Sequence, residues 1–277
     1  DTVMLGHYST DAMAAAVTAN SIVFGTLMFA NGVLFGLDPL IAQAHGAGRG
    51  GSAGLAAQRG AVLALALSVP VGVAWLFMGD LFVALGQEPR LAPLAQTYAL
   101  ALIPGIPPFL LASVARSYLQ GREIVRPAMY ATALANVVNA LANWVLIFGN
   151  LGFPELGVLG AGIATTTTRL FTLLVLVAWI RRFRLHEGAW QPWSRRALDL
   201  RGLWAIVAVG IPISVQVATE MWAFNLAMLL AGTMGAVSAA AHGVAIGMAS
   251  LSFMLALGVA VAATTRVGNL LGAGRPL

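Results

Sequence analysis

The sequence predicts an all-α, polytopic membrane helix bundle, with a first lobe of six helices and the first two helices of a second, parallel copy. Three observations lead to this fold class. Hydrophobic residues make up 59% of the chain and charged residues only 9%, against about a quarter charged in soluble proteins. Uncharged runs such as 12–37, 60–79 and 127–154 follow one another, and each is long enough to cross a bilayer. The end of the chain also repeats its beginning.

The repeat is clearest in the tetrapeptide Gly-Ala-Gly-Arg, which stands at residues 46–49 and again 226 residues later, at 272–275. With this offset fixed, Met4–Arg49 and Leu230–Arg275 are identical at 12 of 46 positions without a gap. Long duplications in hydrophobic proteins are typical of secondary transporters, whose substrate sites lie between the repeats. The alternative is two unrelated membrane helices that are both rich in Ala and Gly.

Eight helices are expected along the chain. The first, Asp1–His7, is partial and turns at residues 8–11. The second ends in the Gly-rich loop Gly46–Gly54, a typical helix stop. Pro104, Pro107 and Pro108 predict a kink in the fourth, which neighbouring helices in a membrane bundle can accommodate. The helices after the first are expected at Ala12–Ala44, Ala57–Leu85, Leu91–Leu119, Arg126–Phe148, Val158–Ile180, Leu203–Ala231 and Val237–Leu271.

These helices predict three domains: an N-lobe at residues 1–185, a polar linker at 186–201 and the start of a C-lobe at 202–277. Six helices separate the two repeats, so both copies cross the membrane in the same direction and are related by an axis along its normal. A repeat unit of this length implies a complete protein of about two units, so we expect the chain to be a fragment.

The arginines of the loops predict how the chain is oriented. One side of the bundle carries only Arg90, beside several acids, and the positive-inside rule makes the Arg-rich side cytoplasmic. This orientation signal explains the pI near 10.7 without a nucleic-acid partner. The absence of cysteine excludes disulfides and thiolate metal sites. The arginines of the Arg-rich side are Arg49, Arg59, Arg122, Arg126, Arg181, Arg182, Arg184, Arg195, Arg196, Arg201 and Arg275.

Function is sought among polar groups within the spans, because a charge at membrane depth is costly and is usually functional or paired. Glu220 lies centrally in the seventh helix, and Asp1 is the acid of the truncated first helix. On the fifth helix Asn136, Asn139 and Asn143 share one face. Together with the nearest hydroxyl, that of Thr165, a carboxylate and these amides suit a monovalent cation or a shuttled proton.

The alternatives to a functional site at these positions are plainer. Asn also serves as ordinary interhelical glue. Arg169 and Arg266 are either counter-ions for the acids or side chains that reach an interface. Trp222, beside Glu220, belongs to an aromatic belt or to the wall of an apolar cavity. An integral-membrane enzyme would need paired catalytic groups. Neither HExxH nor a close acidic cluster is present, so no enzymatic activity is expected.

The residues resemble the multidrug and toxic compound extrusion (MATE) family, and its bacterial NorM-like branch in particular. The resemblance lies in residues 1–6 (DTVMLG), 42–49 (AQAHGAGR) and 266–276 (RVGNLLGAGRP), and in Asn139 and Asn143 ahead of residues 146–149. It implies two six-helix lobes around a cleft. It also implies an N-lobe cation site at Asp1, Asn139, Asn143 and Thr165, and a C-lobe acid at Glu220. Asp38 departs from the small or hydroxylated residue usual there.

The resemblance implies an antiporter of a bacterial inner membrane that exports cationic or amphiphilic drugs and toxins in exchange for Na⁺ or H⁺. We expect no cofactor, no metal beyond Na⁺ at Asp1 or Glu220, and a monomer in the bilayer. Candidates for the substrate cleft are Gln43, Trp222 and Asn269. A lipid-linked oligosaccharide flippase of the same superfamily is the alternative function, and it would want several arginines in the cleft.

Overall fold

The computed structural model describes residues 2–275; within this range the side chains at 225, 228, 229, 232, 236, 237, 239 and 240 lie outside the description. All regular structure in the described residues is helical, which confirms the predicted fold class. Short 3₁₀ turns lie at Pro89–Leu91, Ile103–Gly105, Asn150–Gly152 and Arg195–Leu198. The α-helices are α1 (Thr2–Tyr8), α2 (Thr10–Leu34), α3 (Leu37–Gly46), α4 (Gly50–Leu76), α5 (Met78–Ala84), α6 (Ala92–Leu102), α7 (Ile106–Gly121), α8 (Arg126–Phe148), α9 (Gly157–Arg182), α10 (Leu200–Thr233) and α11 (Ala236–Gly272).

Seven helical segments of the described chain are long and apolar enough to cross a membrane, so the protein is a multi-pass membrane protein. Two of the seven combine two helices each, Thr10–Gly46 and Pro89–Gly121. The remaining predicted helix is α1, which has seven residues. We call the side on which α3, α7, α9 and α11 end the Arg-rich face.

The predicted second helix, Ala12–Ala44, is wrong as a single element, because α2 and α3 are separated at Phe35–Gly36. Pro39 has no N–H to donate to the carbonyl of Phe35, four residues earlier. That carbonyl instead accepts from the Asp38 N–H at 3.1 Å. A side chain at Gly36 would overlap the backbone of α10, so close packing against the C-lobe accompanies the break.

The predicted third helix, Ala57–Leu85, is corrected at both ends of α4. This helix begins at Gly50, inside the segment expected as a loop, and it ends at Leu76 before the separate helix α5. The side chain of Gln96 on α6 satisfies the backbone at this second break. Its Oε1 accepts from the Gly79 N–H at 2.6 Å, and its Nε2 donates to the Leu76 carbonyl at 3.1 Å. In the fourth predicted helix, the expected proline kink is confirmed at Ile103–Gly105.

The polar segment between α9 and α10 is docked against the N-lobe rather than free. The Gln58 amide donates to the Gln191 carbonyl at 2.6 Å, and Arg59 pairs with Asp199 at 3.3 Å. The guanidinium of Arg122, the residue that follows α7, donates to the Leu185 carbonyl. Glycines in the first turns of α4 allow the segment to pack directly on that helix. We call residues 183–199 the docked linker.

The two Gly-Ala-Gly-Arg sequences form the same helix end. At the end of α3, Gly48 has φ of +70° and the Arg49 N–H donates to the Ala44 carbonyl at 2.9 Å. At the end of α11, Gly274 has φ of +67° and Arg275 N–H donates to the Leu270 carbonyl at 3.0 Å. Each is a Schellman motif, in which glycine takes the left-handed conformation that a side chain disfavours. The sequence repeat is therefore also a repeat of local structure.

The repeated ends meet each other where the two lobes touch at the Arg-rich face. A side chain at Gly46 would overlap the backbone of Asn269, and a side chain at Gly272 would overlap the backbone of Gln43. By the repeat offset, Gly272 is the copy of Gly46 and Asn269 is the copy of Gln43. The contact of Gly46 with Asn269 is therefore repeated, with the two copies exchanged, as the contact of Gly272 with Gln43. Such reciprocal contacts are the mark of a local two-fold axis. Deeper in the bundle, the Ser214 hydroxyl on α10 donates to the Phe29 carbonyl on α2 at 3.0 Å.

Candidate functional site

A cavity of about 290 Å³ lies within the N-lobe between α1, α2, α6 and α8. Successive turns of α1 and α2 present side chains to it, since residues three or four apart share one face of a helix. The polar groups that reach the cavity are one hydroxyl, one phenol and two amides. Its lining consists of Thr2, Leu5, Ala16, Asn20, Tyr98 and Asn139.

Beside the cavity, a chain of polar side chains connects α8 to α9. Asn143 is 1% exposed and its amide nitrogen donates to the Asn139 side-chain oxygen at 3.1 Å. Asn139 in turn donates to the Thr168 hydroxyl at 3.3 Å. These bonds fix the Asn139 amide at the cavity wall. The structure thus brings the two predicted asparagines together, whereas Asn136, one turn earlier, is exposed.

Asn139 donates to the Thr168 hydroxyl. Thr165, the hydroxyl expected from the sequence, lies one turn earlier, and its part in the site stays a prediction. Thr165 is half-buried on the same helix. Asp1, the predicted acid of this site, lies outside the described residues; its neighbour Thr2 lines the cavity. Sequence reasoning missed Asn20 and Tyr98, although the position of each polar group within an apolar span was a signal that could have identified them.

Arg169 brings a positive charge into the N-lobe interior. Its guanidinium carbon lies 5.3 Å from the centre of the Phe109 ring, within the range of a cation–π interaction. Its Nη1 is buried without a hydrogen-bond partner among the described residues. Two roles are expected for Arg169, a counter-ion for the acids or a side chain that reaches the membrane interface. Its buried position disagrees with the second role.

Glu220 on α10 is exposed, and its carboxylate accepts a hydrogen bond from the Gln216 amide at 3.1 Å. Trp222, two residues further on, is 67% exposed. Arg266 does not contact Glu220; it pairs with Glu123 at 3.1 Å, in the turn between α7 and α8. Glu220 thus lacks a basic partner in the described part of the chain.

The other two cleft candidates lie at the Arg-rich face. Gln43 on α3 has an exposed side chain, and its main chain lies against Gly272. Asn269 on α11 is 7% exposed and donates to the Glu123 carboxylate at 3.2 Å. Glu123 therefore holds two side chains of α11 against the N-lobe, and Asn269 is engaged at this contact instead of facing an open cleft.

Asp38 is the second residue of α3 and is largely buried, with Oδ1 lacking a hydrogen-bond partner within the described residues. An acid in the first turn of a helix is favoured by the helix dipole and the free N–H groups there. The start of α3 therefore favours the charge of Asp38, and the side chain of Ser117 on α7 adds a hydrogen bond to its carboxyl group.

Comparison with known proteins gives the family of the chain. A family model described as MatE matches residues 1–145 and 212–277. A probable multidrug resistance protein NorM of Rhizobium meliloti is 35% identical over 281 residues, covering 99% of this chain and 59% of the relative. A multidrug resistance protein MdtK of Pectobacterium atrosepticum is 33% identical over 282 residues, covering 99% of this chain and 60% of the relative. Both relatives are named as multidrug resistance proteins.

A crystal structure of the eukaryotic MATE transporter AtDTX14 matches the fold with a TM-score of 0.87 at 24% identity. The match covers 99% of this chain and 61% of that chain, and at this identity it shows the fold alone. A crystal structure of MATE in complex with MaD3S gives a TM-score of 0.85 at 25% identity, over 98% of this chain and 60% of that chain. The chain spans about three fifths of the length of the proteins it matches.

Proposed function

Because the chain belongs to the MatE family, we propose that it forms part of a drug antiporter of the bacterial inner membrane. It exports cationic or amphiphilic drugs and toxins in exchange for Na⁺ or H⁺. Its Arg-rich face is cytoplasmic by the positive-inside rule, and it works as a monomer. The names of its bacterial relatives, multidrug resistance proteins, support this substrate class.

The observation that carries the proposal is the polar wall of the N-lobe cavity. The Asn139 amide is held there by Asn143 and Thr168, and Thr2 places the start of α1 at the same cavity. These amide and hydroxyl oxygens, together with the carboxylate expected of Asp1, would make a donor set suited to a monovalent cation, or to a proton on the acid. Polar and ionisable groups are costly to bury at membrane depth, so a cluster of them there usually has a function.

Coupling follows from competition between the ion and the drug. Each binds one orientation of the two lobes more tightly, so each shifts the population toward its own state. In the structure the lobes are joined at the Arg-rich face through Glu123, Arg266 and Asn269. Loading of Asp1 or Glu220 with an ion removes the negative charge that attracts a cationic drug, and the drug leaves on the opposite face.

The position of Arg266 argues against the alternative function, a lipid-linked oligosaccharide flippase. Among the arginines within the spans, this one is paired with Glu123 at the Arg-rich face. Two other arginines, Arg116 on α7 and Arg169 on α9, are largely buried in the N-lobe, and Arg169 packs against Phe109. A cleft that binds a dianionic pyrophosphate would need several such groups.

Efflux from proteoliposomes tests the proposal with the full-length protein, imposing a Na⁺ gradient and a pH gradient separately. Asp1→Asn should abolish ion-coupled efflux of ethidium, because the amide cannot titrate or hold a cation. Asn139→Ala should raise the ion concentration needed for half-maximal efflux about tenfold, the effect of losing one ligand of about 1.4 kcal/mol. Glu220→Gln should slow efflux of cationic drugs more than that of neutral ones.

Asn136→Ala is the matched control, since Asn136 is exposed one turn away on the same helix and does not line the cavity. It should leave efflux unchanged. Efflux at the parental rate by Asp1→Asn, or equal effects of the two asparagine variants, would show that the N-lobe cavity is not the coupling site.

A further inference from the structure

A second cavity, of about 540 Å³, lies at the Arg-rich face between α4, α7, α9 and the docked linker. It is separate from the N-lobe cavity and shares no lining residue with it. Its walls are mainly aliphatic and its open end is aromatic and basic. We call it the linker groove.

The walls of the linker groove have the shape of a channel along the helices. On α4, Ala57 and Ala61 are one turn apart and leave space in front of that helix. Opposite them Leu173, Val177 and Ile180 follow one face of α9. The seven helical steps from Leu173 to Ile180 extend over about 10 Å, the scale of a segment of an acyl chain.

The end of the groove is built from the docked linker. Trp190 and Trp193 pack edge to face at 6.0 Å between ring centres, and Tyr118 of α7 packs edge to face with Trp190 at 6.3 Å. The hydrogen bond from Gln58 to Gln191, between the two tryptophans, holds this aromatic group on α4. Aromatic rings of this type are enriched at the level of lipid headgroups.

The same end carries Arg181 and His186. Arg181 has no acidic partner among the described residues, because the nearby Glu187 pairs with Arg184 at 3.6 Å. Arg182, the next residue, does not line the groove, and its guanidinium lies 5.9 Å from the Phe183 ring centre. A guanidinium matches a phosphate in geometry and charge.

We propose that the linker groove binds an anionic phospholipid of the leaflet at the Arg-rich face. One acyl chain lies between α4, α7 and α9, and the phosphate contacts Arg181 and His186. Basic pockets between membrane helices on the cytoplasmic side bind anionic headgroups in this way. The aliphatic walls favour a lipid over free phosphate, and the unpaired positive charge favours an anionic headgroup over a zwitterionic one.

Native mass spectrometry of the full-length protein in detergent tests this inference. Phosphatidylglycerol and phosphatidylcholine with identical chains are titrated separately, with glycerol 3-phosphate as a headgroup without chains. We expect phosphatidylglycerol to bind at least tenfold more tightly than either. Arg181→Gln should weaken its binding about tenfold, and Ala61→Trp, which fills the groove, should abolish it.

The matched controls are Arg182→Gln, beside Arg181 but not lining the groove, and Val69→Trp, at an exposed position of α4 two turns from Ala61. Both should retain most of the binding. Equal binding of the two lipids, tight binding of glycerol 3-phosphate, or Ala61→Trp binding as well as Val69→Trp would each overturn the assignment. The Ala61 comparison holds even if Arg181→Gln fails to fold, and neither outcome depends on drug efflux.

Discussion

Glu123 has the most unusual backbone of the residues that join the two lobes. Its φ of 61° places it in the left-handed region, which costs a residue with a Cβ about 1 kcal/mol. It ends α7 as the left-handed residue of a Schellman motif, since the Ile124 N–H donates to the Leu119 carbonyl at 2.9 Å. Glycine is usual at this position, so the turn does not explain why a glutamate stands there. The contact of its carboxylate with Arg266 and Asn269 does.

Two substitutions at Glu123 distinguish the effect of its backbone conformation in the turn after α7 from the effect of its side-chain contact with α11. Glu123→Gln keeps the backbone strain and removes the charge, whereas Glu123→Gly relieves the strain and removes the side chain. If the carboxylate holds the lobes together, both should expose the buried face of α11. The measurement is the rate at which maleimide labels Thr265→Cys, a nearly isosteric reporter that is 8% exposed. We expect labelling to be about tenfold faster in both variants.

The control for Glu123 is Glu187→Gln, an exposed glutamate of the same face whose partner Arg184 lies within the docked linker. It should label at the parental rate. Labelling at the parental rate in Glu123→Gln would show that the carboxylate does not hold the lobes together, and a change in Glu123→Gly alone would mean that the residue acts through the turn.

At the scale of helices, the equivalent parts of the repeat differ in one respect. The N-lobe copy is broken between α2 and α3, whereas the corresponding part of α11 is continuous through Val261 and Ala262. The repeat offset places Thr265 opposite Pro39, so the C-lobe copy keeps the N–H that the N-lobe copy lacks. A single residue therefore accounts for a different shape in two otherwise similar segments.

The packing of α3 on α11 depends on a residue without a side chain at Gly46. Gly46→Ala should force the two helix ends apart, because the added methyl group would overlap the backbone of Asn269, which cannot rotate away. We expect faster labelling of Thr265→Cys and a lower melting temperature. Gly25→Ala on α2 is the matched control, since a Cβ there meets nothing within 4 Å.

Replacing a helical glycine by alanine normally stabilises a helix by about 0.5–1 kcal/mol. Gly25→Ala should therefore be neutral or stabilising, and the two glycine variants should differ in sign. An equal response of both would mean that the ends of α3 and α11 are not in contact in the membrane.

For the whole molecule, the Arg-rich face must lie on one side of the bilayer. Glu187→Cys in the docked linker and Gln87→Cys in the turn after α5 are both exposed and lie on opposite faces. In intact cells a membrane-impermeant maleimide should label Gln87→Cys and leave Glu187→Cys unlabelled until the cells are opened. The reverse pattern would contradict the orientation assigned from the arginines.

The spans and their order could be predicted from sequence, because hydropathy and proline act locally. The expected bounds of α8, Arg126–Phe148, agree with the structure. The break between α4 and α5 could not be predicted, since the groups that satisfy it come from Gln96 on another helix. The same limit applies to the site: the face shared by Asn139 and Asn143 follows from helical spacing, but Thr168 and Tyr98 depend on how α6 and α9 pack.

The reciprocal contact of Gly46 and Gly272 has a consequence for the history of the chain. A surface that meets its own copy across a two-fold axis is the interface of a homodimer. A half-length ancestor with one repeat therefore already carried both sides of this contact, and gene duplication with fusion would have turned an encounter between two polypeptides into an intramolecular one.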